Sequence, residues 1–270
     1  MPVVWQTGDG SVTASTSAGF SASAELSPIP LVFMYHSVAP YDEDPFEVTM
    51  TPERFEQQMR WLRRRGLRGV SMEALLTARA SGQDGGLVGL TFDDGYQDFV
   101  THALPILQRF GFTATMFVLA GRLGGSNEWS RPGPNKALLT AEQVREIALA
   151  GVEVGSHGLE HVSLLKTDDA KLRDETVRSR EILEELLGES IPGFCYPYGY
   201  LDSRVVDAAR AAGYSYACAV KPSPNIGRFA IPRTLVHDRD TTPRLDAKRM
   251  VSKLTVGNRL GFRRYRNGGR

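Results

Sequence analysis

Short apolar runs alternate with amphipathic helical patterns along most of the chain. The first run is Ile29–Tyr35 and a late one is Tyr216–Val220, and the runs between them are rich in β-forming residues. The intervening segments repeat apolar side chains every three or four residues, as in Pro52–Arg65. This alternation predicts an α/β fold of parallel βαβ units with right-handed crossovers and one continuous sheet.

Polar side chains stand at the points where several predicted strands end. His36 follows the first run, and Asp93 and Asp94 follow Leu87–Phe92. His157 follows another predicted strand, Val152–Ser156. In parallel sheets the carboxyl ends of the strands share one rim, and such folds carry their chemistry there. The sequence therefore predicts a functional site built from these side chains.

The two adjacent carboxylates need different environments. Neighbouring residues on an extended strand point to opposite faces, although a turn at Gly95 can bring Asp93 and Asp94 to one rim. Two like charges this close raise the pKa of one of them unless a cation lies between, and a divalent metal ion would meet that need. By itself, the tripeptide Asp93–Gly95 also fits a solvated turn.

A second pattern, SHGLEH, favours the metal. His157 and His161 are four residues apart, a spacing that places both imidazoles on one face of a helical turn. The chain has only five histidines, so the pair is informative, although two surface histidines in a loop remain the alternative. Two histidines and a carboxylate with an open position form the ligand set of catalytic zinc sites.

TFDDGY, SHGLEH and the later YPYG, in this order, resemble the polysaccharide deacetylases, which are carbohydrate esterase family 4 and carry the NodB-homology domain. The resemblance covers roughly residues 31–220. It implies a distorted (β/α)7 barrel with Asp93 as the catalytic base. It also implies a metal held by Asp94, His157 and His161, usually Zn²⁺, with Co²⁺ or Ni²⁺ able to substitute.

One departure from the family pattern concerns the orientation of Asp93. Many members have an arginine before the Pro-Tyr pair, where this chain has Cys195 in CYPYG. Cysteine cannot donate a charge-assisted hydrogen bond, so another group is expected to orient Asp93. The backbone N–H of Tyr198 is the candidate for an oxyanion hole.

The general acid has two candidates. Leu235–His237 fits the Leu-x-His motif that supplies the acid in many members, whereas MYHSV resembles the branch that deacetylates poly-N-acetylglucosamine. In that branch the histidine after the first strand, here His36, takes the role. We favour His36 because it ends a buried strand, whereas His237 lies in the polar stretch HDRDTTPR.

The resemblance implies hydrolysis of the N-acetyl group of an amino sugar, giving a free amine and acetate. The substrate is expected to be an N-acetylated oligosaccharide, polysaccharide or glycoside. Trp129, in the long loop of residues 120–138, and Tyr198 are candidate contacts to the sugar. Three alternatives stay open: an O-acetyl esterase, a cyclic-amide hydrolase at the same metal site, and a non-catalytic carbohydrate-binding relative.

The composition of the chain is consistent with this interpretation. The chain has 270 residues, 41% hydrophobic and 23% charged, with a formal net charge of +1, which gives no reason to expect nucleic acid as a partner. No apolar run approaches the ~20 residues of a membrane span. Cys195 and Cys218 lie in apolar segments and are expected to be buried thiols.

The composition divides the chain into three parts. Residues 1–27 are rich in Ser, Thr, Ala and Gly and are expected to be a disordered leader without the apolar core of a signal peptide. Residues 28–245 are the predicted barrel. Residues 246–270 form a basic tail, expected to be solvated, with contact to an anionic membrane as the alternative. The expected location is the cytoplasm, including the inner membrane surface.

Overall fold

The computed structural model describes residues 30–221 and 227–251. The strands are β1 (Val32–Tyr35), β2 (Ser37–Val38), β3 (Thr49–Met50), β4 (Arg68–Val70), β5 (Leu87–Phe92), β6 (Thr115–Val118), β7 (Glu153–Ser156), β8 (Gly193–Cys195), β9 (Tyr216–Ala219), β10 (Ile231–Pro232) and β11 (Thr234–Leu235). The α-helices are α1 (Pro52–Arg64), α2 (Met72–Ala80), α3 (Leu104–Phe110), α4 (Ala141–Leu149), α5 (Asp169–Arg173), α6 (Ser179–Leu187) and α7 (Ser203–Ala211).

Two short helical segments are continuous with these helices. A π-helical segment, Phe99–Ala103, precedes α3, and another, Asp174–Arg178, joins α5 to α6. Residues 242–251 are also helical. The predicted leader lies outside the described residues, as does the predicted tail beyond residue 251, so both stay predictions.

The sheet closes on itself through the segment of residues 231–235. In the described ranges, nine parallel strands run in the order β10-β9-β8-β7-β6-β5-β1-β11, with β4 beside β5. The first half of the closing segment, β10, pairs with β9, while its second half, β11, pairs with β1. Six strands and this shared segment therefore surround the barrel in seven positions, which confirms the predicted distorted (β/α)7 barrel.

Aromatic side chains fix the ends of β1 and β5. The ring of Tyr35 stacks on Phe92 at 5.1 Å between centroids and meets Phe55 of α1 edge-on at 5.2 Å. Phe92 also packs against Phe99 at 4.8 Å. These rings are buried, and large buried aromatic side chains contribute strongly to core stability. The residues that follow β1 and β5 are thus attached to a tightly packed part of the core.

The expectation of two buried thiols is confirmed. Cys195 and Cys218 are both buried and form no disulfide. No helix within the described residues combines the length and apolar character needed to cross a membrane.

Candidate active site

The carboxyl ends of β1, β5, β7 and β8 bring most of the predicted site residues to one rim. The ladder continues past the strand ends, since the Asp93 N–H donates to the Tyr35 carbonyl at 3.0 Å and the His157 N–H to that of Val118 at 2.8 Å. His36 follows Tyr35, which pairs with Phe92, so His36 stands level with Asp93. The alternative of a plain solvated turn does not apply, because Asp93 and Asp94 are buried.

Asp94, His157 and His161 form a group suited to hold a metal ion. The Nε2 atoms of His157 and His161 lie 3.3 Å and 3.2 Å from Asp94 Oδ1, and all three side chains are buried. Asp94 Oδ1 has no hydrogen-bond donor. Burial alone would raise the pKa of Asp94, but the two histidines hold it well below its usual value. The residues present fit a divalent cation with two imidazole ligands and one carboxylate ligand.

The ring of His157 is held with its ligand atom toward Asp94. Its Nδ1 atom is 2.8 Å from the carbonyl oxygen of Cys195, which can only accept a hydrogen bond. Nδ1 therefore carries a proton, so Nε2, which faces Asp94, is the ring atom available to bind a metal ion. An outer hydrogen bond of this kind sets the tautomer and orientation of metal-binding histidines.

Arg233, in the closing segment, orients Asp93. Its Nη1 and Nη2 atoms donate to the two carboxylate oxygens of Asp93 at 2.6 Å and 2.7 Å. Nη1 also donates to Thr91 Oγ1 at 3.0 Å, and Nη2 lies 3.0 Å from the sulfur of Cys195. The bidentate pair supplies the charge-assisted contact that Cys195 cannot make.

This contact also sets the charge of Asp93. Burial raises the pKa of Asp93, but the guanidinium of Arg233 outweighs it and holds the pKa below its usual value. Asp93 is therefore ionised at neutral pH and ready to accept a proton. Asp93, His157 and Cys195 also lie close enough to suggest a second metal group. In that group both carboxylate oxygens of Asp93 are already bonded to Arg233.

Sequence reasoning missed Arg233, although one signal was present. Arg233 lies between two short strands, Ile231–Pro232 and Thr234–Leu235, and its charge interrupts their strand pattern. A buried arginine requires an acidic partner. No pattern in the sequence around Arg233 identifies Asp93 as that partner.

Backbone strain is concentrated at the site. Four non-glycine residues in the described ranges have a positive φ, and three of them are Asp94 (72°), His161 (56°) and Tyr198 (61°). Such conformations cost about 1–3 kcal/mol each and persist where the surroundings impose them. At His161 and Tyr198 one restraint is visible, since the Tyr198 hydroxyl donates to the His161 carbonyl at 3.2 Å. These turns aim the side chains of Asp94 and His161 at each other.

A buried carboxylate, Glu175, holds the loop between the two histidines. It lies in the π-helical segment, and its Oε2 atom accepts hydrogen bonds from the N–H groups of Leu159 at 2.6 Å and Glu160 at 3.2 Å. A Cβ atom at Gly158 would lie 2.7 Å from the same oxygen, so only glycine fits there. Lys171 pairs with the other carboxylate oxygen at 3.0 Å.

The loop of residues 120–138 crosses the rim and brings Trp129 to the site. Its start is bonded to the histidine loop through the Ala120 N–H and the Gly158 carbonyl at 2.9 Å. The indole ring of Trp129 lies 4.7 Å from the imidazole of His161, whose other neighbour is the ring of Tyr198 at 4.5 Å. The two predicted sugar contacts therefore flank a candidate metal ligand.

The two candidate acids lie in different places. His36 interacts electrostatically with Asp94 and Asp93, and its buried Nδ1 atom has no hydrogen-bond partner. His237 Nδ1 instead lies 3.3 Å from the carbonyl oxygen of Glu47, in the loop between β2 and β3. The structure thus brings His36 to the site, whereas the imidazole of His237 contacts Glu47.

The sequence matches the family model for polysaccharide deacetylase over residues 80–217, about half of the chain. The chain therefore belongs to the polysaccharide deacetylase family. It is 26% identical over 210 residues to the Bacillus subtilis protein YxkH, named for the same family, a match that covers 76% of this chain and 70% of the relative.

The chain is also similar to a second relative and to two solved structures. The poly-beta-1,6-N-acetyl-D-glucosamine N-deacetylase of Staphylococcus aureus is 24% identical over 203 residues, which cover 70% of this chain and 68% of the relative. IcaB from Ammonifex degensii superposes with a TM-score of 0.66 at 26% identity, covering 82% of this chain and 97% of IcaB. The Streptococcus pyogenes deacetylase PplD, in complex with acetate, shares the fold with a TM-score of 0.70 at 23% identity, covering 82% and 99%.

Proposed function

We propose that this protein is a metal-dependent deacetylase that hydrolyses the N-acetyl group of an amino sugar, releasing acetate and a free amine. The substrate is an oligosaccharide, polysaccharide or glycoside. The single observation that carries the proposal is the pairing of Asp94, His157 and His161 with an adjacent, separately held carboxylate, Asp93. Deacetylation needs both a metal site and a base beside it.

Asp94, His157 and His161 would hold the ion, which we propose to be Zn²⁺, with Co²⁺ or Ni²⁺ able to replace it. When bound, such an ion polarises the acetyl carbonyl and lowers the pKa of the attacking water. One carboxylate and two neutral imidazoles leave room in the coordination shell, as in other catalytic zinc sites.

The protein's own groups would move the protons. Asp93, held ionised by Arg233, accepts the proton of the attacking water. The backbone N–H of Tyr198 donates to the oxygen that gains negative charge at the acetyl carbon. His36 then protonates the departing nitrogen. Burial lowers the pKa of His36 below its usual value, although the nearby carboxylates of Asp94 and Asp93 oppose this shift.

Two substitutions test this division of roles. Asp93→Asn should remove turnover, by about 100-fold or more, while the purified protein still binds zinc. His161→Ala should lose zinc as well as turnover. Elemental analysis and an amine-release assay on N-acetylglucosamine oligomers measure both effects. Near wild-type turnover by Asp93→Asn would refute the assignment of the base.

A further assay separates the alternative reactions. An O-acetyl ester and a cyclic amide could be hydrolysed at the same site, so a substrate panel with acetate detection decides between these bonds and the N-acetyl group. Cys195 in place of the usual arginine is the one feature of the sequence that favours a non-catalytic relative. Arg233 removes that argument, because it binds Asp93 through both oxygens.

A further inference from the structure

Six arginines are exposed at the amino end of the barrel, opposite the candidate active site. Helix α1 ends at Arg64, and the chain then enters β4 at Arg68, which pairs with the first residue of β5. The end of α3 packs against the end of α1, since the guanidinium of Arg63 lies 4.7 Å from the centre of the Phe110 ring. We call this group the basic face, and its members are Arg60, Arg63, Arg64, Arg65, Arg68 and Arg109.

Acidic side chains neutralise only part of this charge. Glu56 pairs with two of the six arginines, at 2.8 Å and 3.1 Å, and Asp246 pairs with a third. Arg64 and Arg68 form no ion pair with the part of the chain that the structure describes. Six positive and two negative charges leave four positive charges here, although the whole protein has a formal net charge of only +1. The negative end of the α1 dipole explains Arg63 and Arg64, but it does not explain Arg68 in the next strand.

An exposed apolar side chain lies next to the basic face. Asp246, in the helical segment of residues 242–251, accepts hydrogen bonds from Trp61 at 3.2 Å and from Arg65 at 3.1 Å. Met250 is four residues further on, so it lies on the same side of this helix, about 6 Å from Asp246. It is 62% exposed. The basic face therefore adjoins a surface on which an apolar group is open to solvent.

The sequence that follows repeats this combination of charge and apolar side chains. Residues 252–270 contain six basic residues and no acidic residue, and Leu254, Leu260, Phe262 and Tyr265 lie among them. Basic residues attract anionic lipids, while large apolar side chains enter the headgroup region of a bilayer. The phosphates of a nucleic acid would match the charge alone and leave the apolar groups in water. The combination therefore favours a lipid surface.

We propose that the basic face and Met250 bind the surface of a bilayer that contains anionic phospholipids. The contact is made by the folded barrel itself, and the basic residues beyond position 251 add to the attraction. Because the basic face lies at the amino ends of the strands, the candidate active site at their carboxyl ends points away from the bilayer. A polymeric substrate can then reach the site while the protein stays on the surface.

The first test is co-sedimentation with large unilamellar vesicles. Vesicles of phosphatidylcholine with about 30% phosphatidylglycerol should bind the wild type about tenfold more tightly than vesicles of phosphatidylcholine alone. Raising the NaCl concentration from about 0.05 M to about 0.5 M should remove most of this difference, because salt screens the charges. Equal binding to the two kinds of vesicle, or to neither, overturns the proposal.

Paired charge reversals test the position of the surface. Arg64→Glu with Arg68→Glu should weaken binding to the anionic vesicles about tenfold or more. Arg173→Glu with Arg178→Glu changes the net charge equally on exposed residues between β7 and β8, and it should retain the wild-type affinity within about twofold. Equal losses in the two double variants would mean that only the net charge matters, which overturns the assignment to the basic face. All four positions are exposed, so the thermal midpoints should stay within a few degrees of the wild-type value.

Substitution of Met250 separates a lipid surface from a nucleic acid. Met250→Ser should weaken binding to the anionic vesicles about threefold, and Met250→Leu should retain it, because the lost contact is apolar. Tighter binding of a single-stranded RNA than of the vesicles, with no effect of Met250→Ser on vesicle binding, would identify nucleic acid as the partner and overturn the proposal. Amine release from a soluble oligosaccharide is measured separately, so failure of the proposed reaction leaves the vesicle result unchanged.

Discussion

Asp93 and Asp94 are adjacent in the chain, yet their carboxylates face different partners. Asp93 is bound by Arg233, whereas Asp94 faces the two histidines. The positive φ of Asp94 makes this separation possible, because it turns the backbone directly after β5. Asp93 is thereby kept ionised, as the proposed base must be, and Asp94 is left free to bind a cation.

The effects of substituting Asp93 and Arg233 on the free energy of unfolding should depend strongly on each other. Arg233→Met leaves Asp93 charged and unpaired inside the barrel, which should cost about 3–5 kcal/mol of unfolding free energy. Asp93→Asn in the same protein should recover part of this loss, because no unpaired charge remains. Denaturant unfolding of the two single variants and the double variant measures the coupling, and additive losses would contradict it.

His36 and His237 make a matched pair for locating the general acid. His36→Ala should lower kcat by about 100-fold or more, because the leaving nitrogen loses its proton donor. His237→Ala should change kcat little, since His237 contacts Glu47. Steady-state kinetics on one N-acetylated oligosaccharide compares them directly. A large loss in His237→Ala with little effect in His36→Ala would reverse the assignment.

At the scale of elements, the π-helical segment between α5 and α6 supports the loop that carries His157 and His161. Glu175 reaches this loop from a buried position and bonds two of its N–H groups. The support comes from an element that contributes no ligand of its own, as is common around metal sites.

Removing this support should weaken metal binding. Glu175→Ala leaves two loop N–H groups without their acceptor, so we expect zinc affinity to fall about 10–100-fold. Glu181→Ala, a change of an exposed glutamate on α6, is the control and should leave affinity unchanged. Competition with a chromophoric chelator gives both dissociation constants. Equal affinities in the two variants would mean that the loop holds its shape without Glu175.

The opposite end of β7 carries a carboxyl group whose titration should affect stability. Glu153 accepts hydrogen bonds from the Tyr216 hydroxyl and from the Glu73 N–H, and burial raises its pKa. A raised folded-state pKa means that its stabilising contribution is complete below the unfolded value, about 4.3, and is lost as the pH rises through the folded value.

The variant Glu153→Gln isolates this effect. The unfolding free energy of the wild type minus that of the variant should decrease as the pH rises from about 4 and then become constant. Denaturant titrations of both proteins across this pH range measure the difference. A difference that stays constant or increases with pH would show that the folded-state pKa of Glu153 is not raised.

At the scale of the whole molecule, the site exists only when the barrel is assembled. The proposed ligands follow β5 and β7, and the arginine that holds the base lies in the segment that joins the two edges of the sheet. The proposed metal binding should therefore be coupled to folding of the entire barrel, because the unfolded chain does not hold these groups together.

This coupling predicts stabilisation by zinc. At a free zinc concentration about 1,000 times the dissociation constant, the unfolding free energy should rise by about 4 kcal/mol. Thermal unfolding with and without zinc should show a higher midpoint for the wild type and little change for His161→Ala. A chelator should reverse the shift. An equal shift in His161→Ala would place the stabilising ion elsewhere.

Local sequence patterns were enough to predict the parallel α/β architecture and the central residues of the site. Strand ends, their polar residues and the His-x-x-x-His spacing are local patterns, so Asp93, Asp94, His157 and His161 could be identified without coordinates. The preference for His36 also rested on a local pattern, the buried strand before it.

The residues that surround these central residues could be found only from the folded structure. Arg233 lies far along the chain from Asp93, and Glu175 supports a histidine loop to which no sequence period connects it. The contact between the rings of Trp129 and His161 likewise depends on how two separate loops meet at one rim. Periodicity indicates which residues share a strand or a helix face, but closure of the barrel determines which distant side chains come into contact.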